Sequence, residues 1–267
     1  MNTDRRRDVP RYIRFCRAIA QCRICDTRRI DLPHGLYIRK ERLLPDRLIT
    51  LSNRVLGFPF EVLPTADWLS WETLLYSELH AMSVEAADDC GWAVLLPALR
   101  GEVAGELIAQ REMDIDCMAP ILIAAVYALK DLHSRSIQHP DGIVRPLSHG
   151  DATIWNVLYD HRDQEARWFD FETIHRRAMR DDERHADDLK ALLFSAASLV
   201  DRCFWDRLNA AVLSAYSRPC VIEALSRSLQ GEASPNRLRL MQVRMRKSTY
   251  RDFKETLWRQ LEIVKSR

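Results

Sequence analysis

Three oxygen-bearing side chains stand at short, fixed spacing in this chain: Asp151, then Asn156 after four intervening residues, then Asp170 fourteen residues further on. They lie in Leu147-Ser-His-Gly-Asp-Ala-Thr-Ile-Trp-Asn-Val-Leu-Tyr-Asp160 and in Arg167-Trp-Phe-Asp-Phe-Glu172. Between Asn156 and Asp170 an apolar run (Val157-Leu158-Tyr159), a polar turn (Asp160 to Glu165) and a second apolar run (Trp168-Phe169) read as strand, turn, strand. Such a hairpin gathers the three side chains around one point. An aspartate can accept the proton of an attacking hydroxyl, while an asparagine and a second aspartate offer magnesium the hard oxygens it prefers. Phosphoryl transfer is the chemistry this set fits. Each residue alone is an ordinary cap or turn former, so the signal lies in the spacing.

His149-Gly150-Asp151 with Asn156, followed by Asp170-Phe171-Glu172, resembles the catalytic loop and metal-binding triplet of the protein-kinase-like superfamily. The His-Gly-Asp form, and glutamate in place of the glycine of Asp-Phe-Gly, resemble its aminoglycoside phosphotransferase and lipopolysaccharide kinase (Kdo kinase-like) branches. The resemblance spans about residues 35–200 and is most specific at 147–172. It implies an α+β, two-lobed fold. A small, degenerate sheet-containing N-lobe (1–100) would carry a basic helical lead-in and a hinge near 96–101. A larger, mainly helical C-lobe (101–267) would hold the catalytic loop and the metal site.

The same resemblance implies ATP and Mg2+ as cofactors, Asp151 as the catalytic base, and Asn156 and Asp170 as the metal ligands. It calls for an N-lobe lysine on the nucleotide phosphates, and Lys40, ending the run Leu36-Tyr37-Ile38-Arg39-Lys40, is the only lysine before Lys130. Glu72 is expected to orient it, with Glu78 as second choice. Backbone groups of Leu96 to Leu99 would meet the adenine ring, and Asp187 or Asp188 would brace the catalytic loop from behind. One feature departs from the pattern. A glycine-rich phosphate loop needs closely spaced glycines, and residues 1–60 hold only Gly35 and Gly57.

The positioning elements read as follows. Residues 4–28 form a basic helix, with Tyr12, Ile13, Phe15, Cys16 and Ile19 on one face. Leu36–Ile38, Leu48–Leu51 and Val55–Phe58 are short strands punctuated by turn residues. Asp67–Met82 is a helix with Leu69, Leu74, Leu75 and Leu79 inward and Thr65 or Asp67 as cap. Gly91–Glu102 is a buried strand running into the hinge. Helices follow at Glu102–Gln110 and at Pro120–Ser134, the latter with proline in its first turn and Ile121, Ala125, Leu129 and Leu132 inward. His133 reads as a packing residue and Gln138–Pro146 as an extra loop. A further helix opens at Ala186 and reaches about Asp201. Cys203–Arg267 is helical, interrupted at Ser217-Arg218-Pro219 and at Gly231–Pro235.

Composition narrows the class. Of 267 residues, 47% are hydrophobic and 29% charged, as in ordinary globular proteins. No apolar run approaches the ~18 residues of a membrane span. The arginine-rich start lacks the apolar core of a signal peptide, and seven scattered cysteines fit reduced thiols, so a cytoplasmic setting is expected. Cys22 and Cys25 have only Cys16 and His34 as irregularly spaced neighbours, short of a structural zinc set. Residues 1–54 hold 14 basic against 6 acidic side chains, and residues 237–267 hold 10 against 3. The basic ends could attract an anionic substrate or touch a membrane surface peripherally. No nucleic-acid motif is present.

The expected activity is therefore ATP- and Mg2+-dependent transfer of the γ-phosphate to a hydroxyl of a small molecule or lipopolysaccharide-type sugar. Alternatives are a catalytically weak pseudokinase acting as a binding module, and a Ser/Thr protein kinase. Against the last, little chain separates Asp170 from Ala186 to dock a peptide.

Overall fold

In the computed structural model, residues 25–55, 59–86, 92–110, 115–232, 235 and 237–265 are described. The expected contacts of Tyr12 to Ile19, the Cys22 thiol and the run 56–58 fall outside them. The chain divides into two compact units. The first takes the described residues of 25–55 and 62–98, the second those of 59–61 and 99–265.

The first unit is built on a four-stranded antiparallel sheet. Strand β1 (Cys25–Leu32) and strand β2 (Gly35–Arg42) pair from Cys25–Arg42 to Leu32–Gly35, which leaves Pro33-His34 as a two-residue turn. Helix was expected as far as residue 28. Charged residues on both faces of β1 (Asp26, Arg28, Arg29, Asp31) conceal its two-residue period in the sequence. Helix α1 (Asp46–Val55) corrects a second expectation, because Leu48–Leu51 is helical. A four-residue apolar run cannot tell strand from helix. Here only Ile49 turns inward, while Leu48 and Leu51 are exposed.

Strand β3 (Phe60–Val62) begins in the second unit and ends in the first. Helix α2 (Thr65–His80) follows. The Asp46 carboxylate accepts from the backbone N–H and the hydroxyl of Thr65, at 2.9 and 2.7 Å. A residue from another helix thus satisfies the exposed donor at the start of α2, which neither Thr65 nor Asp67 caps with its own side chain. The buried stripe of α2 is Trp68, Trp71, Glu72 and Leu75, whereas the expected Leu69, Leu74 and Leu79 are half-exposed. Strands β4 (Glu85–Ala86) and β5 (Ala93–Pro97) complete the sheet in the order β1-β2-β5-β4.

In the second unit, strand β6 (Glu102–Val103) leads into helix α3 (Ala104–Gln110). Gly101, at φ +113, lets β6 lie close to its neighbour, since a Cβ there would stand 2.8 Å from the Tyr159 carbonyl oxygen. Helix α4 (Ile115–Leu132) starts earlier than expected, with Pro120 inside it. The missing N–H frees only a carbonyl in the first turn, and Ile121, Ala125, Leu129 and Leu132 are buried as read. The expected loop after it is a hairpin of β7 (Ser136–Gln138) and β8 (Val144–Pro146). A 3-10 turn (Ile154–Asn156) precedes β9 (Val157–Asp160) and β10 (Glu165–Trp168), which pair antiparallel as anticipated. Strand β11 (Thr173–His175) pairs with β3.

Helix α5 (Asp181–Ala197) opens five residues before the expected start. Asp181, Asp182 and Glu183 occupy its first turn, where acids offset the exposed N–H groups. Helices α6 (Trp205–Tyr216), α7 (Pro219–Gly231), α8 (Arg237–Gln242) and α9 (Lys247–Lys265) finish the chain. Phe194, Trp205, Tyr250 and Phe253 make the aromatic centre where α5, α6 and α9 meet. Among the described residues no helix is long and apolar enough to cross a membrane. The fold class is α+β, as expected.

Candidate active site

Two constellations form, one in each unit. In the first, β2 ends in three consecutive buried charged residues, Lys40, Glu41 and Arg42. Lys40 Nζ lies 3.0 and 3.3 Å from the two carboxylate oxygens of Glu72 on α2. Trp68, one turn earlier on α2, donates its Nε1–H to Glu72 at 2.6 Å, and its ring carries Lys40 Nζ at 5.4 Å and the Arg42 guanidinium at 4.5 Å. Burying two charges is costly unless each is satisfied at short range. Glu72 is wholly buried and holds both an ammonium and an indole donor. The geometry joins Lys40 to Glu72; Glu78 is exposed on the same helix.

In the second unit the loop 147–153 is held by one face of α5. His185 Nε2–H donates to the Leu147 carbonyl at 2.8 Å, and the Ser195 hydroxyl accepts the Ile154 N–H at 2.9 Å. Between them Asp188 accepts the N–H of His149 (2.7 Å) and of Gly150 (2.9 Å), together with His133 Nε2–H (2.9 Å). His133 Nδ1 then accepts the Tyr216 hydroxyl at 2.6 Å. Spacings of three and seven residues place His185, Asp188 and Ser195 on the same side of the helix. Burial alone would raise the Asp188 carboxyl. The charge of His175 and the hydrogen bond from His133 outweigh it and hold the group well below the usual carboxylate range. Asp188, of the two acids considered, is the brace; Asp187 accepts from Arg239 at 2.6 Å.

Gly150 is where this turn becomes sterically exacting. Its φ is +83, and a Cβ would sit 2.7 Å from Thr173 Oγ1. His149 is fully buried, and burial lowers its pKa against the opposing charge of Asp188. The neutral ring donates Nε2–H to the Phe169 carbonyl (2.9 Å) and accepts the Asp151 N–H on Nδ1 (3.3 Å). It thereby ties the loop to the chain just before Asp170. Phe169 N–H in turn donates to the Asn156 carbonyl at 3.1 Å.

Asp151 stands at the head of this loop. Asn156 Nδ2 donates to its backbone oxygen (2.8 Å) and to Oδ2 (3.0 Å), and Gln242 Nε2 donates to Oδ1 (2.7 Å). Burial pushes the carboxyl up to about 7; the hydrogen bond from Gln242 opposes the rise, and the negative charge of Asp170 adds to it. With Nδ2 committed to Asp151, Asn156 keeps its Oδ1 as the atom available to a hard cation. Asp170 has φ +70, an uncommon backbone state for a residue with a side chain. Among the described residues no cluster of three or more histidine, cysteine or acidic side chains forms a metal-binding group. One carboxylate and one amide oxygen still fit magnesium, which takes few protein ligands and completes its shell from phosphate and water.

Two features are those that the resemblance to the protein-kinase-like superfamily leads one to expect: a buried strand lysine paired to a helical glutamate, and a braced loop feeding a β-hairpin that closes two residues before the second aspartate. No protein-family model matches the sequence, and no curated protein matches it. Among solved structures, the chain is similar to WaaP in complex with acyl carrier protein, at 16% identity and TM-score 0.44, over 87% of this chain and 85% of that one. It is also similar to a protein from Ralstonia eutropha described as a candidate aminoglycoside phosphotransferase, at 10% identity and TM-score 0.31, over 94% and 98%.

The remaining expected residues lie in or just after β5. Leu96 is buried in mid-strand with Ile38 as its register partner, and Ala98 donates its N–H to the Leu36 carbonyl. Leu99 follows the strand and opens the second unit. Missed altogether were Gln242, which touches Asp151, and Arg239, which bridges Gln242 Oε1 (2.6 Å) to Asp187. A glutamine 91 residues from its partner leaves no local signal.

Proposed function

We propose that this chain is an ATP- and Mg2+-dependent phosphotransferase acting on a hydroxyl. The observation that carries the reading is the Asp151 carboxylate, held on both oxygens by Asn156 and Gln242 at the head of a loop that Asp188 braces. In this reading Asp151 accepts the proton of the attacking hydroxyl. A base is most effective when its pKa lies near the working pH, and burial supplies that. Asn156 Oδ1 and Asp170 would hold magnesium, which neutralises charge on the phosphates when bound. Lys40, oriented by Glu72, would neutralise the nucleotide phosphates, and backbone groups of Leu96 to Leu99 would meet the adenine. Positioning and charge stabilisation are most of what phosphoryl transfer asks of a protein.

A small-molecule or lipopolysaccharide-type sugar hydroxyl is the proposed acceptor. Ten residues separate Asp170 from α5, three of them paired in β11, which leaves a peptide little to dock on. One observation favours a second reading, a binding module without turnover. The β1–β2 connection is the tight turn Pro33-His34, not a glycine-rich loop. A thermal-shift titration with ATP, with and without magnesium, separates the two. Ligand at about a hundred times its dissociation constant adds roughly 2.7 kcal/mol of stability. A magnesium-dependent rise that Asp170→Asn abolishes supports the phosphotransferase. Absence of any shift with nucleotide supports the binding module.

A further inference from the structure

Two residues beyond Gln242, the chain presents the guanidinium of Arg244. Arg244 is exposed and has φ +52, a state that turns the backbone sharply after α8. Its guanidinium carbon lies 3.7 Å from the ring centroid of Trp155. Trp155 belongs to the 3-10 turn between Asp151 and Asn156, and its ring packs on Gly105, where a Cβ would come within 2.6 Å. The indole is therefore a backed platform beside the proposed base. Stacking occupies the face of a guanidinium and leaves its edge, with five N–H donors, directed outward. Among the described residues Arg244 makes no side-chain hydrogen bond and no ion pair.

Arg28, Arg39, Arg135 and Arg145 each meet a carboxylate, and what sets Arg244 apart among the described residues is its close stack on Trp155. Arg246 and Lys247, also exposed, extend the positive charge along the same turn. A flat, preorganised fork of donors beside a general base suits a planar or tetrahedral oxyanion, which it can grip bidentately.

We propose that Arg244, stacked on Trp155, forms an anion-binding subsite that recognises a phosphate or carboxylate group on the phosphate acceptor. The inference rests on the phosphotransferase reading for the word acceptor, and on the geometry of Trp155, Gln242 and Arg244 for the subsite. Gln242 fixes the position: its contact with Asp151 brings this stretch of chain to the base. The implied substrate class is a hydroxylated molecule that also carries an anionic group, such as a phosphorylated or acidic sugar.

Because the nucleotide also carries phosphates, the test must separate the two sources. Inorganic phosphate is titrated calorimetrically into the wild-type chain alone, and into the chain saturated with magnesium and a non-hydrolysable ATP analogue. Arg244→Gln and Arg244→Lys are run alongside, with melting temperatures confirming that both exposed-site variants fold. The expected result is phosphate binding that persists when the analogue is present, weakens at least tenfold in Arg244→Gln, and weakens in Arg244→Lys because the fork is lost while the charge stays. Equal phosphate affinity in wild type and Arg244→Gln overturns the proposal, as does no binding by wild type at 50 mM. Phosphate displaced by the analogue, or analogue affinity lost in Arg244→Gln, assigns Arg244 to the nucleotide and overturns it too. Failure of the analogue itself to bind counts against the phosphotransferase reading, while the phosphate titration of the chain alone still reports on the subsite.

Discussion

Replacing Asp188 by asparagine changes no volume and removes one acceptor from a carboxylate that is completely buried. Its Oδ2 accepts two donors, the His149 N–H and His133 Nε2–H, and Oδ1 accepts the Gly150 N–H. Asparagine keeps most by leaving its oxygen at the Oδ2 position and turning its amide toward Gly150. The Gly150 N–H then faces another donor, and an orphaned buried group costs roughly 1–3 kcal/mol. The two surviving bonds lose the help of a full negative charge, about 1 kcal/mol or more together. The expected loss is about 3–5 kcal/mol, the range for breaking a buried pair from one side. At roughly 2–4 °C per kcal/mol for a chain of this size, the melting temperature should fall by about 10 °C.

Urea denaturation at pH 7.5 measures it, with Asp182→Asn as control, because Asp182 pairs with a mostly exposed arginine and should cost under about 1 kcal/mol. The pH dependence supplies a sign check. A depressed carboxyl contributes stability that is present above its unfolded pKa, near 3.9, and is lost as pH falls through the lower folded value. The gap between wild type and Asp188→Asn should therefore hold down to about pH 4 and narrow below it. A loss under about 1 kcal/mol, or equal to that of Asp182→Asn, would refute the brace. Turnover should fall as well, since a loop shift of about 1 Å can cost a hundredfold.

Gly150→Ala combines a left-handed φ with a Cβ 2.7 Å from Thr173 Oγ1, so it should cost about 2 kcal/mol and lower turnover without changing Asp151. A melting curve and rate equal to wild type would contradict the close approach. Lys40→Met leaves the buried Glu72 carboxylate with the Trp68 indole but no cation; about 3 kcal/mol should be lost and the nucleotide-induced shift abolished, while Glu72→Gln should be milder on stability. Acid should weaken the fold through histidines. Burial holds His139 at about 4 and His185 at about 3, against 6.5 when unfolded. With folded values depressed, their contribution is full above pH 6.5 and is lost as pH falls toward those values, roughly 2 kcal/mol each by pH 4.5. Denaturation at pH 7.5 and 4.5 tests this, and His185→Gln should reduce the difference.

The chain itself determined the hairpin of Val157–Asp160 and Glu165–Trp168 and the buried face of α4 at Ile121, Ala125, Leu129 and Leu132. These depend on short-range periodicity, which a single sequence displays. It also pointed to Lys40, because no other lysine precedes residue 130, and the tertiary structure then paired it with Glu72. Local pattern misled where burial is decided by distant partners. Leu48–Leu51 reads as a strand yet is helical, and the inward stripe of α2 is carried by Trp68, Trp71 and Glu72 with Leu75, while Leu69, Leu74 and Leu79 are half-exposed. The choice of Asp188 over Asp187 needed α5 to lie against the loop 147–153, since neighbouring helical residues point about a hundred degrees apart. Gln242, Arg239 and the stacking of Arg244 on Trp155 exist only because the C-terminal helices return to the loop. Contacts across some ninety residues are set by the packing of whole elements, and no local pattern in the sequence encodes them.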